Sequence, residues 1–116
     1  MEAATAPTLS ADLLGGVQET FGLTDTELAA LFGVRRQAVG QWRERGLPSA
    51  RQEKAAAIAS VGDLLRHRLK RERIPGIARR PAPAYGGLTM LEMIERDRHL
   101  DLLMQIRASF DLAATA

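Results

Sequence analysis

The sequence predicts an all-α protein, and three observations support this fold class. The chain is 46% apolar but only 4% aromatic, so its core must be built from Leu, Ala, Ile and Val. Apolar residues recur at helical spacing, and no alternating strand pattern extends beyond a few residues. Residues 23–48 also have the pattern of two short helices joined by a tight turn. We therefore expect a helical bundle with a long helix, a Pro/Gly linker and a short C-terminal helical pair.

Length and composition limit the protein's class and compartment. A chain of 116 residues forms one compact domain, or one small domain with an appendage. It has no cysteine, which excludes disulfides and cysteine-ligated metal sites. The first ten residues have no signal-peptide pattern, and no apolar run approaches the roughly 20 residues of a membrane span. We expect a cytoplasmic protein with no membrane contact.

The first predicted helix covers residues 9–21, with Ser10 as its N-cap and Gly15 and Gly16 as weak points. Its apolar residues recur every four positions: Leu13, Val17 and Phe21.

The stretch LTDTELAALFGVRRQAVGQWRERGLP, residues 23–48, predicts the two short helices. Thr24 and Glu27 have the spacing of a capping box, and Gly33 ends the first helix where a positive φ is needed. The second helix runs from about Arg35 to Arg45. It directs Val39 and Trp42 to one side and Arg and Gln side chains to others. Arg can bind guanine and Gln can bind adenine in bidentate fashion, so such a helix suits a DNA major groove.

These residues resemble the helix-turn-helix of Xre/Cro-type repressors. The matching positions are Thr24, Glu27, Leu28, Ala29, Gly33, Val34, Gln37, Val39 and Trp42. An ordinary helical hairpin is the alternative, because helix–Gly–helix pairs are common. In this sequence Asp25 occupies the place of a common phosphate-binding Gln. The resemblance implies a DNA-binding repressor that acts as a homodimer on a palindromic operator, with recognition helices about 34 Å apart.

Roles at double-stranded DNA follow from that interpretation. Arg36, Gln37 and Gln41 are expected to contact base edges. Phosphate contacts are assigned to four arginines: Arg35, Arg43, Arg45 and Arg51. The charge distribution agrees, because residues 35–80 carry a net +9 between ends of −5 and −2. Alone, this charge pattern would be better explained by a solvated face.

A long helix is predicted to follow Pro48, opened by a capping box of Ser49 and Gln52. Gly62 within it is a candidate break between the DNA-binding unit and the rest. Residues 74–87 contain three of the five prolines and predict an extended linker rather than a regular helix. The expected organisation is a DNA-binding domain at 9–73, a linker at 74–87, and a partner-binding or dimerisation region at 88–112.

The C-terminal region predicts a short helix capped by Thr89 and a second near Arg98 to Phe110. Both are too short to bury their own apolar faces. They must pack on the bundle, on a second copy or on another protein. The expected partner contacts are Leu91, Ile94, Leu103, Ile106 and Phe110. The alternative is that all of them belong to the intramolecular core.

This region resembles the toxin-binding domain of the Xre/MbcA/ParS antitoxins. The resemblance is carried by Gly-Gly-Leu-Thr-Met-Leu-Glu-Met-Ile, residues 86–94, and a helix ending in Ser109-Phe110-Asp111. It implies a partner, a RES-domain toxin that degrades NAD, whose active site the antitoxin masks. A stand-alone or phage-type regulator without a toxin, or a pure interaction module, is the alternative.

No catalytic or cofactor chemistry is expected. His67 and His99 are far apart, with no companion ligand spacing for a metal. No phosphate loop or nucleophile motif occurs in the sequence.

Overall fold

The protein is all-helical, as its sequence predicts. A computed structural model describes residues 7–115, with side chains described for residues 9–111. This part of the chain contains no β-strand, and none of its helices is long and apolar enough to cross a membrane. It contains seven α-helices: α1 (Pro7–Phe21), α2 (Asp25–Leu31), α3 (Arg36–Arg45), α4 (Ser49–Arg68), α5 (Ile74–Ala78), α6 (Met90–Glu95) and α7 (His99–Thr115).

The two short helices and their turn form as the sequence predicts. The Thr24 hydroxyl accepts the Glu27 N–H at 3.1 Å, and the Glu27 carboxylate accepts the Thr24 N–H at 2.9 Å. This capping box starts α2, and Gly33 with φ of 66° follows its end. A second capping box starts α6, formed by Thr89 and Glu92.

The prediction for Ser10 is wrong. α1 begins at Pro7, so Ser10 lies inside the helix, where it is fully buried. Its hydroxyl accepts the N–H of Leu47 at 2.8 Å and so satisfies a buried donor in the loop between α3 and α4. Gly15 and Gly16 do not interrupt α1.

Two predictions for the long helix are also wrong. Ser49 is the first residue of α4 and makes no capping bond, because Pro48 is the N-cap and Gln52 donates to the carbonyl of Leu47. Gly62 is not a break. It is buried where α4 crosses α1, and a Cβ there would lie 3.2 Å from the Thr20 methyl group.

The segment 74–87 is more structured than an extended linker. Residues 74–78 form α5, with Pro75 in its first turn, where a proline costs no hydrogen bond. Ile74 and Ala78 are fully buried, and α5 packs on α1. A 3₁₀ turn at Pro83–Tyr85 then leads to α6.

One hydrophobic core joins all three parts of the predicted organisation. α6 packs on α2, and α7 packs on α4. Met93, Ile94 and Leu102 are fully buried in the same cluster as Leu28 and Ile58. The C-terminal helices are therefore part of the same bundle and do not form a separate appendage.

Candidate functional site

The N-cap and the outward face of α3 carry polar side chains that make no hydrogen bond or ion pair within the described residues. All five of these residues are exposed, and none makes a side-chain hydrogen bond or ion pair there: Arg35, Arg36, Gln37, Gln41 and Arg45. Their charges and amide groups are therefore available to an external ligand. The three predicted base-reading residues of α3, Arg36, Gln37 and Gln41, share this exposure.

The opposite face of α3 fixes the helix to the core. Val39 is fully buried, and Trp42 is 7% exposed. The Trp42 ring meets the Phe32 ring edge-on, with centroids 5.3 Å apart. This packing holds the outward face rigid, as precise contact with a binding partner requires.

Arg43 turns back toward the protein instead of pointing outward. Its guanidinium donates to the side chain of Gln18 on α1 and to Asp25 Oδ1 at 3.0 Å. The Arg43 hydrogen bond, followed by one from Gln18, holds the pKa of Asp25 below its usual range. Asp25 thus remains ionised, and this network ties α3 to the start of α2 and to α1.

Arg51, predicted to contact phosphate, also has internal partners. Its guanidinium donates to the carbonyl of Phe32 at 3.1 Å and lies 5.8 Å from the centroid of the Trp42 ring. It therefore satisfies a carbonyl at the end of α2 and covers the aromatic pair.

The predicted partner residues divide by burial. Ile94 and Ile106 are buried in the intramolecular core, so a partner cannot reach them in this conformation. Leu91, Leu103 and Phe110 are partly buried. The Phe110 ring is covered on one side by the Arg68 guanidinium, 5.2 Å from its centroid.

Two exposed apolar residues of α7 lie outside the five predicted partner contacts, although Met104, as a methionine, already suits an adaptable partner surface by its sequence. Leu100 is 48% exposed and Met104 is 67% exposed. They lie four residues apart, and Leu102 and Ile106 on the opposite face are buried. This spacing could have revealed them, because burial of Leu102 and Ile106 turns Leu100 and Met104 outward.

The two histidines are separate. His67 Nδ1 lies 2.7 Å from the carbonyl of Asp63. His99 is buried, with Nε2 3.4 Å from Glu53 Oε1.

Comparison with known proteins identifies the fold. No protein-family model and no curated protein matches the chain. A chain in the crystal structure of the M. tuberculosis MbcT–MbcA toxin–antitoxin complex is similar, with a TM-score of 0.69 and 20% sequence identity. The match covers 84% of this chain and 90% of that chain. The fold of this protein is thus one that occurs in a toxin–antitoxin complex.

Proposed function

We propose that the protein is a sequence-specific DNA-binding repressor that also acts as an antitoxin. The observation that carries the DNA-binding half is the outward face of α3. Its exposed arginine and glutamine side chains make no hydrogen bond or ion pair within the described residues, on a helix fixed from behind by Val39 and Trp42. Helix-turn-helix proteins place such a helix in the major groove.

Arg36, Gln37 and Gln41 read base edges in this proposal, and Arg35 and Arg45 contact phosphates. Arg36→Ala or Gln37→Ala should weaken binding to the operator by about 1–3 kcal/mol and relax the preference at one base position. Arg45→Ala is the matched control, because it should weaken all sequences alike. Binding selection from a random DNA library measures both effects. Unchanged affinity and base preference in both reading variants would contradict the assignment.

The DNA-binding unit in this proposal is a homodimer on a palindromic operator. One recognition helix contacts only a few base pairs, and two copies about 34 Å apart would read two half-sites. Sedimentation at micromolar concentration, with and without operator DNA, measures the stoichiometry. A monomer under both conditions would overturn the dimer.

The antitoxin half is supported by the C-terminal sequence, the fold and the surface of α7. The fold is similar to that of a chain in a toxin–antitoxin complex. Leu100 and Met104 expose apolar surface, and Leu103 and Phe110 lie partly exposed on the same helix. We assign the partner to the RES class of NAD-degrading toxins, which the residue pattern of the tail implies. The chain itself would hold no catalytic site and would act in the cytoplasm, associated with the nucleoid.

Co-expression with a RES-type toxin, taken from the neighbouring gene if that gene encodes one, tests the proposed antitoxin function. The wild-type chain should preserve cellular NAD, and the double variant Leu100→Asp/Met104→Asp should not. Ala56→Asp, an added charge at an exposed position of α4, is the control and should still protect. If the wild-type chain neither binds the toxin nor preserves NAD, the protein is a stand-alone regulator.

A further inference from the structure

A groove beside α5 lies outside the two surfaces described above, the outward face of α3 and the exposed face of α7. It encloses about 410 Å³ and is lined by Glu72, Arg73, Gly76, Ile77 and Arg80. Arg73 and Arg80 are exposed, and neither side chain makes a hydrogen bond or ion pair within the described residues. The two guanidinium groups outnumber the single Glu72 carboxylate, so the groove keeps a net positive charge that favours an anionic ligand.

The neighbouring arginines differ, because they are already engaged. Arg79 donates to the carbonyl oxygens of Phe21 and Gly22 at 2.8 and 2.9 Å. Arg71 pairs with Glu19 at 3.4 Å. Of the four arginines in residues 71–80, the two that line the groove are therefore the two without a hydrogen-bond or ion-pair partner in the described residues.

A chain of contacts connects the groove to the recognition helix. Arg79, the C-cap of α5, pairs with Glu27 in the first turn of α2 at 3.3 Å. Asp25, which begins α2, pairs with Arg43 of α3. Pro75 closes on the turn between α1 and α2, where a Cβ at Gly22 would lie 3.2 Å from its ring. α5 therefore lies beside the N-terminal end of α2, the helix that crosses the DNA backbone in helix-turn-helix complexes.

We propose that the Arg73/Arg80 groove binds backbone phosphates of the DNA duplex, outside the base pairs read by α3. This inference rests on the proposed DNA binding and extends its footprint from α3 to α5. The contacts carry no base specificity, because phosphates are the same at every sequence. Their effect is on affinity and on its dependence on salt.

The test measures affinity for a mixed-sequence duplex long enough for two half-sites, as a function of salt, with the full chain. Each phosphate contact contributes about 0.9 to the slope of log affinity against log salt. Between about 50 and 200 mM salt, the affinity of the double variant Arg73→Ala/Arg80→Ala should therefore fall less than that of the wild-type chain. The difference should be about threefold for each phosphate contact removed. Arg73→Lys/Arg80→Lys should restore the slope, because an ammonium group also neutralises a phosphate.

Arg107→Ala is the matched control. Arg107 is an exposed arginine of α7 that has no ion pair within the described residues, and its loss should leave the slope unchanged. If the wild-type chain binds the duplex normally and the Arg73/Arg80 double variant has the same salt slope, the groove does not bind phosphates. The proposed function then still stands. A wild-type chain that binds no duplex overturns both. An unchanged slope combined with lost binding to the toxin would instead assign the groove to an acidic protein segment.

Discussion

At the scale of single residues, Arg43 shows how an internal contact can redirect a side chain that the sequence assigns to DNA. Its guanidinium is held by Asp25 and Gln18, and its side chain is 29% exposed. Asp25 would repel a phosphate if it faced the DNA backbone, and the positive charge of Arg43 balances its carboxylate in the same contact. The pair therefore orients α3 against α2.

We expect Arg43→Ala to weaken DNA binding through loss of this orientation, with the salt slope unchanged. A direct phosphate contact would instead lower the slope by about one. Titration of duplex binding against salt measures the difference, and Arg45→Ala is the control because Arg45 is exposed and unpaired in the described residues. A slope reduced equally in both variants would restore Arg43 as a phosphate contact.

Trp42 is the residue whose burial most directly supports the position of α3. Trp42→Ala removes the edge-on contact with Phe32 and should lower the free energy of unfolding by about 3–5 kcal/mol. Urea denaturation measures the change, and Gln41→Ala, at the exposed neighbour, should stay within about 0.5 kcal/mol. A loss below about 1 kcal/mol for Trp42→Ala would mean that this side chain is exposed in solution.

At the scale of elements, the features that could be predicted from the sequence were those set by residues close together in the chain. The capping box of Thr24 and Glu27 spans three residues, and the positive φ at Gly33 is a property of one, so both were predictable. α5 was missed because a single turn containing Pro75 is stable only when Ile74 packs in the core.

Long-range partners were also beyond sequence reasoning. Ser10 has the character of a helix cap, but its hydroxyl bonds Leu47, 37 residues away in the chain. Arg43 and Gln18 are separated by 25 residues, and Arg51 and Phe32 by 19. The exposed face of α3 was predictable because it depends only on helical periodicity. Which of the nearby arginines are bound inside the protein, as Arg43 and Arg51 are, depends on how several helices pack together.

The two glycine turns around α2 provide a matched comparison. Gly22 and Gly33 both have φ of 66°, so an alanine at either should cost about 1–2 kcal/mol in backbone strain. A Cβ at Gly33 meets no atom within 4 Å, whereas one at Gly22 would lie 3.2 Å from Pro75. Thermal denaturation should therefore show a larger loss for Gly22→Ala. Equal losses would mean that α5 does not press on this turn.

The turn between α6 and α7 is fastened to α4 by an ion pair. Asp97 has a positive φ of 59°. Its carboxylate accepts a hydrogen bond from the ammonium group of Lys54 at 2.8 Å. Lys54 is 8% exposed, so it depends on this partner. The hydrogen bond from Lys54, followed by its charge, lowers the pKa of Asp97 below the ordinary 3.8.

A lowered carboxyl pKa stabilises the fold above the ordinary value, and this stabilisation is lost as pH falls through the folded-state pKa. Asp97→Asn tolerates the positive φ but removes the charge. We expect it to be less stable than wild type at neutral pH, with the two unfolding free energies converging below pH 3.8. Asp101→Asn, which breaks an exposed pair with Arg98, should change stability little. A constant gap between wild type and Asp97→Asn at all pH values would exclude this linkage.

At the scale of the whole molecule, the shared core changes what a truncation can show. Among the described residues, deleting 88–116 removes five buried apolar side chains: Met90, Met93, Ile94, Leu102 and Ile106. Losing one such residue to alanine costs about 2–5 kcal/mol, and a domain has only about 5–15 kcal/mol in total. We expect the fragment to lose cooperative thermal unfolding, measured by circular dichroism. A fragment that melts cooperatively and binds DNA would show that residues 7–87 fold independently.

The contact of α7 with α4 also links partner binding to the lifetime of the chain. Because α7 shares one hydrophobic core with α2 and α3, a protein that binds α7 stabilises all three helices against unfolding. At a free concentration one hundred times its dissociation constant, this adds about 2.7 kcal/mol, a roughly hundredfold smaller unfolded population. Where proteolysis follows the unfolded population, the unbound chain is degraded faster than the bound one. Under the proposed function, the amount of this protein in the cell would then follow the amount of its partner, with no movement of α3 required.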